Sequence, residues 1–339
     1  MTDRFALIER PVARSEFAAD VRRGLTSHPK ALLPIYFYDA LGSALFDAIC
    51  ELPEYYVTRA ETSILTTAAQ EIVSAFGSPV RLVELGSGSA KKTRILFDAL
   101  CGAAAPGGAV EYVPVDVDRT MLEKTSHTLL YDYPQMRITA VCSDFRTPSN
   151  ALADVLRNDV RNIVLFLGST IGNLDRDEAI SMLRDLRTTL HDGDALFLGV
   201  DLRKPKSILE PAYDDALGVT AAFNLNLLLR INRELGGNFN ISQFAHLAFY
   251  DEERGRIEMH LVAREAQRVR IGDYEVSFEA GETIHTENSH KYDDATLEEI
   301  ARASGFSIER KWTDARAWFA DVLLGTTGSD AAERDALSR

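Results

Sequence analysis

The residues around the turn 86–88 have the types and the spacing to bind a small polar ligand. Glu84 follows an apolar run and precedes Gly86-Ser87-Gly88, after which the pattern of residues 91–103 is helical. Glycines at a tight strand-to-helix turn let the backbone bend and approach a ligand without a Cβ in the way. The exposed N–H groups at the start of the new helix favour a carboxylate or a phosphate. The segment therefore predicts a ligand-binding loop.

Two ligand classes fit such a loop, and one residue separates them. A nicotinamide-dinucleotide fingerprint needs a third glycine so that helix and strand can pack closely, and that position is Lys91. An acid just before the first glycine suits a ligand with an ammonium group. S-adenosylmethionine carries an ammonium, a carboxylate and two ribose hydroxyls. The loop therefore favours a methyltransferase, and a dinucleotide dehydrogenase is the alternative.

Further acids follow the next two apolar segments. Asp116 ends the segment 110–116, about thirty residues after Glu84, where a doubly wound fold places a carboxylate that accepts ribose hydroxyls. Asp144 follows the segment 137–142 and could accept a hydrogen bond from an adenine amino group. One strand-end acid often only caps a helix or faces solvent. Three in succession indicate a nucleoside ligand.

The elements that must position these residues alternate between strand and helix patterns. After the first apolar run, strands are predicted at 110–116, 137–142, 162–167 and 195–200. Helices are predicted at 61–76, 91–103, 118–131, 149–157 and 176–190. This alternation predicts an α/β fold in which a doubly wound parallel sheet carries helices on both faces and binds its ligand at the carboxyl ends of the strands.

The pattern changes after Lys204, which predicts a second lobe. The elements expected there are a helix at 213–234, strands at 243–250, 257–262 and 269–278, a helix at 295–304 and a closing strand at 306–312. Alternating apolar and polar residues indicate half-buried antiparallel strands. The predicted division is a ligand-binding sheet domain of residues 61–203 plus 290–325, an α+β substrate-binding lobe of residues 1–60 plus 204–289, and a disordered tail at 326–339.

Composition limits the partners. The chain has 339 residues, with 37 basic against 51 acidic side chains and a net charge of −14, which argues against a nucleic-acid substrate. Cys50, Cys101 and Cys142 have no pair spacing, so neither a disulfide framework nor a zinc knuckle is expected. No stretch resembles a membrane span or a signal peptide. We expect a cytoplasmic monomer that acts on a small molecule.

Long motifs in both parts of the chain resemble one family. They are Phe37-Tyr38-Asp39 and the segments 52–61, 84–88, 168–173 and 286–289. Together they resemble the histidine-specific Nα-methyltransferases of ergothioneine biosynthesis, over about residues 15–324. The resemblance implies a class I, Rossmann-like methyltransferase sheet. It also implies S-adenosylmethionine-dependent trimethylation of the α-amino group of L-histidine, which gives hercynine.

The resemblance implies roles for individual residues. Asn173 and Tyr213 match the residues that hold the substrate's amino and carboxylate groups, and Tyr38 matches one near the reacting amine. The substrate ring is expected to meet Tyr55, Met259, Glu287 and Ser289. Gly86, Lys92, Asp116 and Asp144 match cofactor-binding positions, and with the neighbouring loop and strand-end residues the expected set is Glu84, Gly86, Ser87, Gly88, Lys92, Asp116, Asp144 and Phe145.

Considered alone, several of these residues have simpler interpretations. Asn173 could be a turn residue, and Tyr38 and Tyr55 could be core aromatics. Glu287 could be a solvated acid. A carboxylate and a hydroxyl two residues apart on an extended segment face the same side, however, so Glu287 and Ser289 could together hold both nitrogens of an imidazole.

A metal site and two other functions are the remaining alternatives. His285, Glu287 and His290 cluster in the sequence, but their spacing matches no standard site, so no metal is expected. The chain could methylate another amino acid such as tryptophan or tyrosine, although an indole lacks the second nitrogen that Glu287 would engage. It could also bind the cofactor as a sensor without turnover.

Overall fold

A computed structural model describes residues 4–10, 17–103, 110–152 and 154–326. The chain divides into two compact units. The first, here the eight-stranded unit, comprises Met1–Ala13, Ala60–Leu202 and Tyr292–Arg339. The second, here the four-stranded unit, comprises Arg14–Arg59 and Arg203–Lys291. The tail predicted at 326–339 lies outside the described residues except for Thr326, which ends a strand.

The elements are numbered in chain order. The strands are β1 (Phe5–Glu9), β2 (Lys30–Ala31), β3 (Val80–Leu85), β4 (Val110–Asp116), β5 (Met136–Cys142), β6 (Arg161–Phe166), β7 (Ala195–Asp201), β8 (Phe244–Asp251), β9 (Arg256–Ala263), β10 (Gln267–Ile271), β11 (Tyr274–Phe278), β12 (Thr283–His290), β13 (Phe306–Thr313) and β14 (Phe319–Thr326). The α-helices are α1 (Phe17–Thr26), α2 (Ala40–Cys50), α3 (Tyr56–Phe76), α4 (Thr93–Ala103), α5 (Arg119–Asp132), α6 (Pro148–Leu152), α7 (Arg176–Thr189), α8 (Lys206–Leu209), α9 (Val219–Leu235) and α10 (Asp294–Ala303).

The eight-stranded sheet has the order β1-β5-β4-β3-β6-β7-β14-β13. The strands from β1 to β7 in this order pair in parallel, whereas β14 runs antiparallel to both β7 and β13. The chain proceeds outward from β3 through β4 and β5, and then returns to the other side of β3 with β6. Ligands bind at such a switch point in doubly wound sheets. The predicted doubly wound α/β fold is confirmed.

Apolar residues on both faces of this sheet explain why its strands read as continuous hydrophobic runs. On one face, Val83 and Val164 belong to a core that includes side chains of α6, α7 and α10. On the other face, Phe97 of α4 lies edge-on to Tyr112 at 4.8 Å between ring centroids. Phe76 of α3 contacts Phe197 in the same way at 5.2 Å. The turns at the ends of the central strands are therefore held on a rigid, close-packed base.

The four-stranded unit contains a sheet of order β2-β12-β9-β8 and the separate hairpin β10-β11. Strands β8, β9 and β12 pair antiparallel, as the alternating pattern predicted for the segment of β9, whereas β12 was not predicted as a strand. Helix α9 contacts α2, β8 and β9. The long strands β9 and β12 are the ones that carry Met259, Glu287 and Ser289.

Three expectations about the elements were wrong. The strand predicted at 269–278 is a hairpin, because Gly272 takes φ +57° and reverses the chain. The helix predicted at 149–157 ends with α6 at Leu152, and Asp154 has a left-handed φ of 58°. The N-terminal segment does not belong wholly to the second lobe, since β1 pairs with β5 at the edge of the eight-stranded sheet.

Among the described residues, no helix combines the length and the apolar character that a bilayer span requires.

Candidate functional site

The loop after β3 has the backbone geometry that its glycines predicted. Gly86 and Gly88 have φ values of +70° and +47°, a region that favours glycine. The Gly86 amide donates to the Val115 carbonyl at 2.8 Å, which ties the loop to β4. A Cβ built on Gly86 would stand 3.5 Å from the ring of Phe145, whereas one on Gly88 would meet no atom of the described residues within 4 Å. The loop therefore leaves open space beside Gly88.

Glu84 is buried at the end of β3, directly before the glycine loop, and its carboxylate contacts both α4 and β4. Thr93 donates to its Oε1 at 2.6 Å, and the Tyr112 hydroxyl donates to its Oε2. Burial raises the pKa of Glu84 to about 7, although these two hydrogen bonds act in the opposite direction. Both carboxylate oxygens thus accept hydrogen bonds from within the unit. A direct contact between Glu84 and a cofactor remains a prediction.

The predicted ribose and adenine acids lie at neighbouring strand ends. Asp116 accepts from the Gly88 amide at 3.0 Å and from the Asp118 amide at 3.1 Å, so it connects the end of β4 to the glycine loop. Asp144 accepts hydrogen bonds from the backbone and the side chain of Arg146 at 2.9 and 3.0 Å. Burial would raise the pKa of Asp144, but these Arg146 contacts outweigh it and lower that pKa. Asp144 is therefore a charged carboxylate.

Lys92 is engaged by a carboxylate that the sequence did not single out. Its ammonium forms an ion pair with Glu61, which is completely buried, and the same carboxylate accepts from the Gly168 amide at 2.8 Å. A Cβ on Gly199 would stand 2.3 Å from Glu61 Oε1, so glycine is required there. Burial would lower the pKa of Lys92, but the charge of Glu61 outweighs it and raises that pKa. Glu61 ends the motif 52–61, which was the available signal.

A second buried acid, Asp321 on β14, also escaped the sequence analysis. It is 0% exposed, and burial together with the charge of Glu61 raises its pKa well above the usual value. Its position opposite Gly199 in the β14–β7 pairing brings it next to the Glu61–Lys92 ion pair.

Asn173 closes the loop that follows β6. Gly168 and Ser169 both take left-handed conformations, with φ of 77° and 56°, and the Ser169 hydroxyl accepts from the Asp201 amide at 2.9 Å. A 3-10 turn then runs from Thr170 to Asn173. The partly buried Asn173 follows a parallel strand, as Asp116 and Asp144 do, so all three lie along the carboxyl edge of one sheet.

Four of the predicted substrate residues fall on or against one sheet of the four-stranded unit. A β-bulge between His285 and Glu287 shifts the register of β12, after which Glu287 stands directly opposite Met259. Side chains directly opposite in an antiparallel pair share a face. Ser289 is two residues beyond Glu287 and shares that face as well. The Tyr213 hydroxyl lies 2.7 Å from Ser289 Oγ.

Lys291 joins this group, and the sequence analysis missed it. It is 2% exposed, and its ammonium donates to Tyr213 Oη at 2.8 Å and to Ser289 Oγ at 2.7 Å. The ammonium is also 4.6 Å from the centre of the Tyr213 ring. Its position two residues after Ser289 at the end of an extended strand was the only signal, because a lysine there ordinarily reads as solvated.

Aromatic rings extend from Tyr213 to the other predicted tyrosines. Tyr55 lies edge-on to Tyr213 at 6.1 Å between ring centroids, and Phe46 joins Tyr55 to Tyr38 at 6.3 and 5.6 Å. Burial and the nearby carboxylate of Glu287 raise the pKa of both Tyr38 and Tyr55. Tyr38 is 47% exposed, so the charge of Glu287 contributes more than burial to the shift at that residue. Both phenols are therefore neutral near pH 7.

Histidines in the four-stranded unit form a different group from the one the sequence suggested. His285 lies with Glu258 and His260, whose ligand atoms are all within 4.8 Å of one another. Glu258 Oε1 accepts from Arg256 at 2.6 Å and from Arg254 at 3.2 Å. Burial would raise the pKa of Glu258, but the hydrogen bonds from Arg256 and His260 outweigh it and lower that pKa to about 2. Glu258 and the two arginines therefore form a salt-bridge network.

Comparisons with known proteins agree on one family. The family model described as "Histidine-specific methyltransferase, SAM-dependent" matches residues 17–326. The histidine N-alpha-methyltransferase of Mycolicibacterium smegmatis is 46% identical over 298 residues, which cover 87% of this chain and 90% of that protein. The enzyme of the same name from Mycobacterium tuberculosis is 44% identical, with the same coverage of each chain.

A more distant relative is larger than this chain. Ergothioneine biosynthesis protein 1 of Schizosaccharomyces pombe is 29% identical over 85% of this chain, which corresponds to 38% of that protein. The family match covers both units and the strands that carry the site residues described above. The chain therefore belongs to the family of S-adenosylmethionine-dependent, histidine-specific methyltransferases.

Proposed function

We propose that this enzyme transfers methyl groups from S-adenosylmethionine to the α-amino group of L-histidine, three times in succession, to give hercynine for ergothioneine biosynthesis. The observation that carries this proposal is the placement of Glu287 and Ser289 on one face of β12, directly beside Met259. A carboxylate and a hydroxyl at that spacing suit the two nitrogens of an imidazole. The names of the two mycobacterial relatives support the same substrate.

The residues proposed to hold S-adenosylmethionine fit that ligand. The left-handed Gly86 and Gly88 shape a loop with open space beside Gly88, and Phe145 presents its ring next to Gly86. Asp116 is fixed by the loop amide of Gly88 and is proposed to accept the ribose hydroxyls, while Asp144 accepts the adenine amino group. S-adenosylmethionine supplies an electrophilic methyl group on a sulfonium. The protein's part is to align an amine with it, and alignment accounts for most of the acceleration in such displacements.

Tyr38 and Asn173 are proposed to handle the reacting amine. A free α-amine is mostly protonated near neutral pH and must lose its proton before it can act as a nucleophile. A neutral phenol and an amide do not stabilise the ammonium as a carboxylate would. The raised pKa of Tyr38 supports the neutral phenol. The electron-rich faces of Tyr38 and Tyr55 also suit an amine that becomes quaternary.

Methylation of another amino acid is the alternative function. Tryptophan offers one ring N–H and no ring acceptor, so it would leave either Glu287 or Ser289 without its proposed ring contact. A sensor without turnover would not need Tyr38 or Asn173. The composition supports a cytoplasmic monomer that needs no metal, nucleic acid or membrane, because the net charge is −14 and the three cysteines lack pair spacing.

The proposal is tested by incubating the purified protein with S-adenosylmethionine and each proteinogenic amino acid in turn. Mass spectrometry should show a trimethylated product with histidine and little or no product with tryptophan, tyrosine or phenylalanine. A faster reaction with any amino acid that lacks an imidazole would contradict the assignment of Glu287 and Ser289. Binding of S-adenosylmethionine without turnover of any amino acid would favour the sensor.

A further inference from the structure

Lys291, Tyr213 and Ser289 form a triangle of hydrogen-bonding groups, here the hydroxyl triangle. The Lys291 ammonium is 2.8 Å from Tyr213 Oη and 2.7 Å from Ser289 Oγ, and the two hydroxyl oxygens are 2.7 Å apart. The exposed fractions of these residues are 2%, 8% and 5%, so the triangle is buried. Each buried donor and acceptor needs a hydrogen-bond partner, because an unsatisfied polar group costs free energy when it is buried.

Counting protons assigns a direction to each bond. An ammonium can only donate, and a hydroxyl has one proton and two acceptor positions. Both hydroxyls accept from Lys291, so one of them must donate to the other. The phenol of Tyr213 is a stronger acid than the alcohol of Ser289 and is therefore the better donor. Ser289 then accepts from both neighbours and directs its own proton out of the triangle, while Tyr213 gives its proton to Ser289 and so does not donate to the substrate carboxylate that the resemblance assigned to it.

The backbone around the triangle is held in place. His246 Nε2 lies 2.8 Å from the Tyr213 carbonyl, and Asn224 Nδ2 lies 2.9 Å from the other ring nitrogen of His246. Because the Asn224 amide nitrogen can only donate, His246 Nδ1 accepts and Nε2–H donates to Tyr213. The Lys291 amide donates to the Gly255 carbonyl at 2.8 Å. These contacts fix the positions of Tyr213 and Lys291.

We propose that Lys291 is a positioning residue that makes Ser289 a hydrogen-bond donor toward the substrate, so that the site takes the imidazole of histidine in its neutral form. The inference rests on the proposed function, because it places histidine against Ser289 and Glu287. The ring nitrogen at Ser289 is then the unprotonated acceptor, and the N–H of the other nitrogen faces Glu287. An imidazolium has two N–H donors, so it would oppose both the Ser289 proton and the Lys291 charge.

The tyrosines near this group are influenced by Glu287, Cys50 and Tyr213, and Tyr55 is influenced by Tyr38 as well. Tyr38 and Tyr55 keep their protons near neutral pH because their pKa values are raised.

Proton release on binding tests the proposal directly. Histidine is titrated calorimetrically into the complex with S-adenosylhomocysteine, at pH 5.5 and pH 7.0, in buffers of different ionisation enthalpy. With an imidazole pKa of about 6.5, binding of the neutral ring should release about two-thirds of a proton more at the lower pH. The α-amine is protonated at both pH values, so it contributes nearly equally to the two measurements.

Two variants test the role of Lys291 itself. Lys291→Met keeps the apolar stem and removes the donors, so Ser289 regains an acceptor position. The extra proton release should then fall to less than half of the wild-type value. The KM for histidine should rise about tenfold or more, as expected for a lost charge-assisted hydrogen bond. The KM for S-adenosylmethionine should stay within about twofold, a split that general unfolding would not produce. Lys124→Met, on the exposed side of α5, is the matched control.

Each outcome decides the proposal. Wild-type protein that binds histidine with no extra proton release at pH 5.5 would overturn it, as would a Lys291→Met variant with unchanged release and KM. If Lys291→Met does not fold, the wild-type measurement still decides the direction of the Ser289 proton. Tyr213→Phe, which removes the bond to Ser289, should then lower the release instead. Wild-type protein that binds S-adenosylhomocysteine but never histidine would contradict the proposed function itself.

Discussion

The buried Glu61 and Lys92, whose side chain is 25% exposed, form an ion pair that links the glycine loop after β3 to the loop carrying Asn173. Lys92 stands at the end of the loop after β3, and Glu61 also accepts from the Gly168 amide at 2.8 Å in the turn after β6. One carboxylate thus holds two loops at the carboxyl edge of the sheet. Removing it would leave an ammonium and an amide unpaired.

Glu61→Ala should therefore destabilise the protein by about 3 kcal/mol, since breaking one side of a buried ion pair leaves the other charge uncompensated. Scanning calorimetry would measure the loss as a lower unfolding temperature. Glu299→Gln removes an exposed ion pair with Arg176 and should leave that temperature unchanged. Equal shifts of the unfolding temperature in the two variants would show that the Glu61–Lys92 pair contributes no more to stability than the exposed pair does.

Asp116→Ala should weaken S-adenosylmethionine binding tenfold or more, because the charge-assisted bonds proposed to the ribose and the contact to the Gly88 amide are lost together. Isothermal calorimetry gives the dissociation constant. Asp118→Asn is the matched control, because asparagine keeps the N-terminal cap of α5 that Asp118 makes with the Met121 amide. Unchanged affinity in Asp116→Ala would reject the ribose assignment.

Glu84 should make the stability of the protein fall as the pH rises from about 4.5 to about 7. Its pKa is 4.5 in its ordinary environment and about 7 in the fold, so unfolding releases a proton between these values and is favoured by rising pH. Glu84→Gln cannot release that proton. Unfolding temperatures measured across this range should therefore decline less steeply in the variant. Parallel curves for the two proteins would show that Glu84 titrates normally.

Glu287→Ala should lower kcat/KM for histidine by about tenfold to a hundredfold, because a site built for a polar ring is left with an unpaired partner. Adding Met259→Val should enlarge the space on the same face and shift the remaining preference toward indole. Rates with histidine and tryptophan in parallel assays give the ratio. Glu275→Gln, an exposed acid on β11, should leave both rates unchanged. Full histidine turnover in Glu287→Ala would make a different amine the better candidate.

The sequence predicted the parallel part of the eight-stranded sheet well, because strands that are buried on both faces appear in the sequence as apolar runs. Strand β4 was predicted with its observed bounds of 110–116. The edge strand β1 was missed because its partner β5 is far away in the sequence and no local pattern reports that pairing. Strand β14 was missed for a similar reason, and it carries the buried Asp321 in an otherwise apolar segment.

The residues of the candidate site also fall into two groups, those that the sequence located and those that it missed. The glycine loop and the strand-end acids follow from local rules on turns and strand ends, so the sequence located them. Glu61 and Lys291 are charged residues whose importance arises from distant partners, Lys92 for one and Tyr213 for the other. A sequence alone treats such residues as solvated, because burial of a charge depends on packing that no short window contains.

The division of the four-stranded unit into Arg14–Arg59 and Arg203–Lys291 also constrains synthesis of the chain. Tyr38 and Tyr55 leave the ribosome early, but Tyr213, Ser289 and Lys291 emerge only after most of the parallel sheet has been made. Domains generally fold as units during translation. The early segment must therefore wait for the partners that the later segment supplies, such as Tyr213 against Tyr55, until the chain has been translated past Lys291. A stalled or truncated nascent chain would expose that aromatic surface to chaperones and proteases.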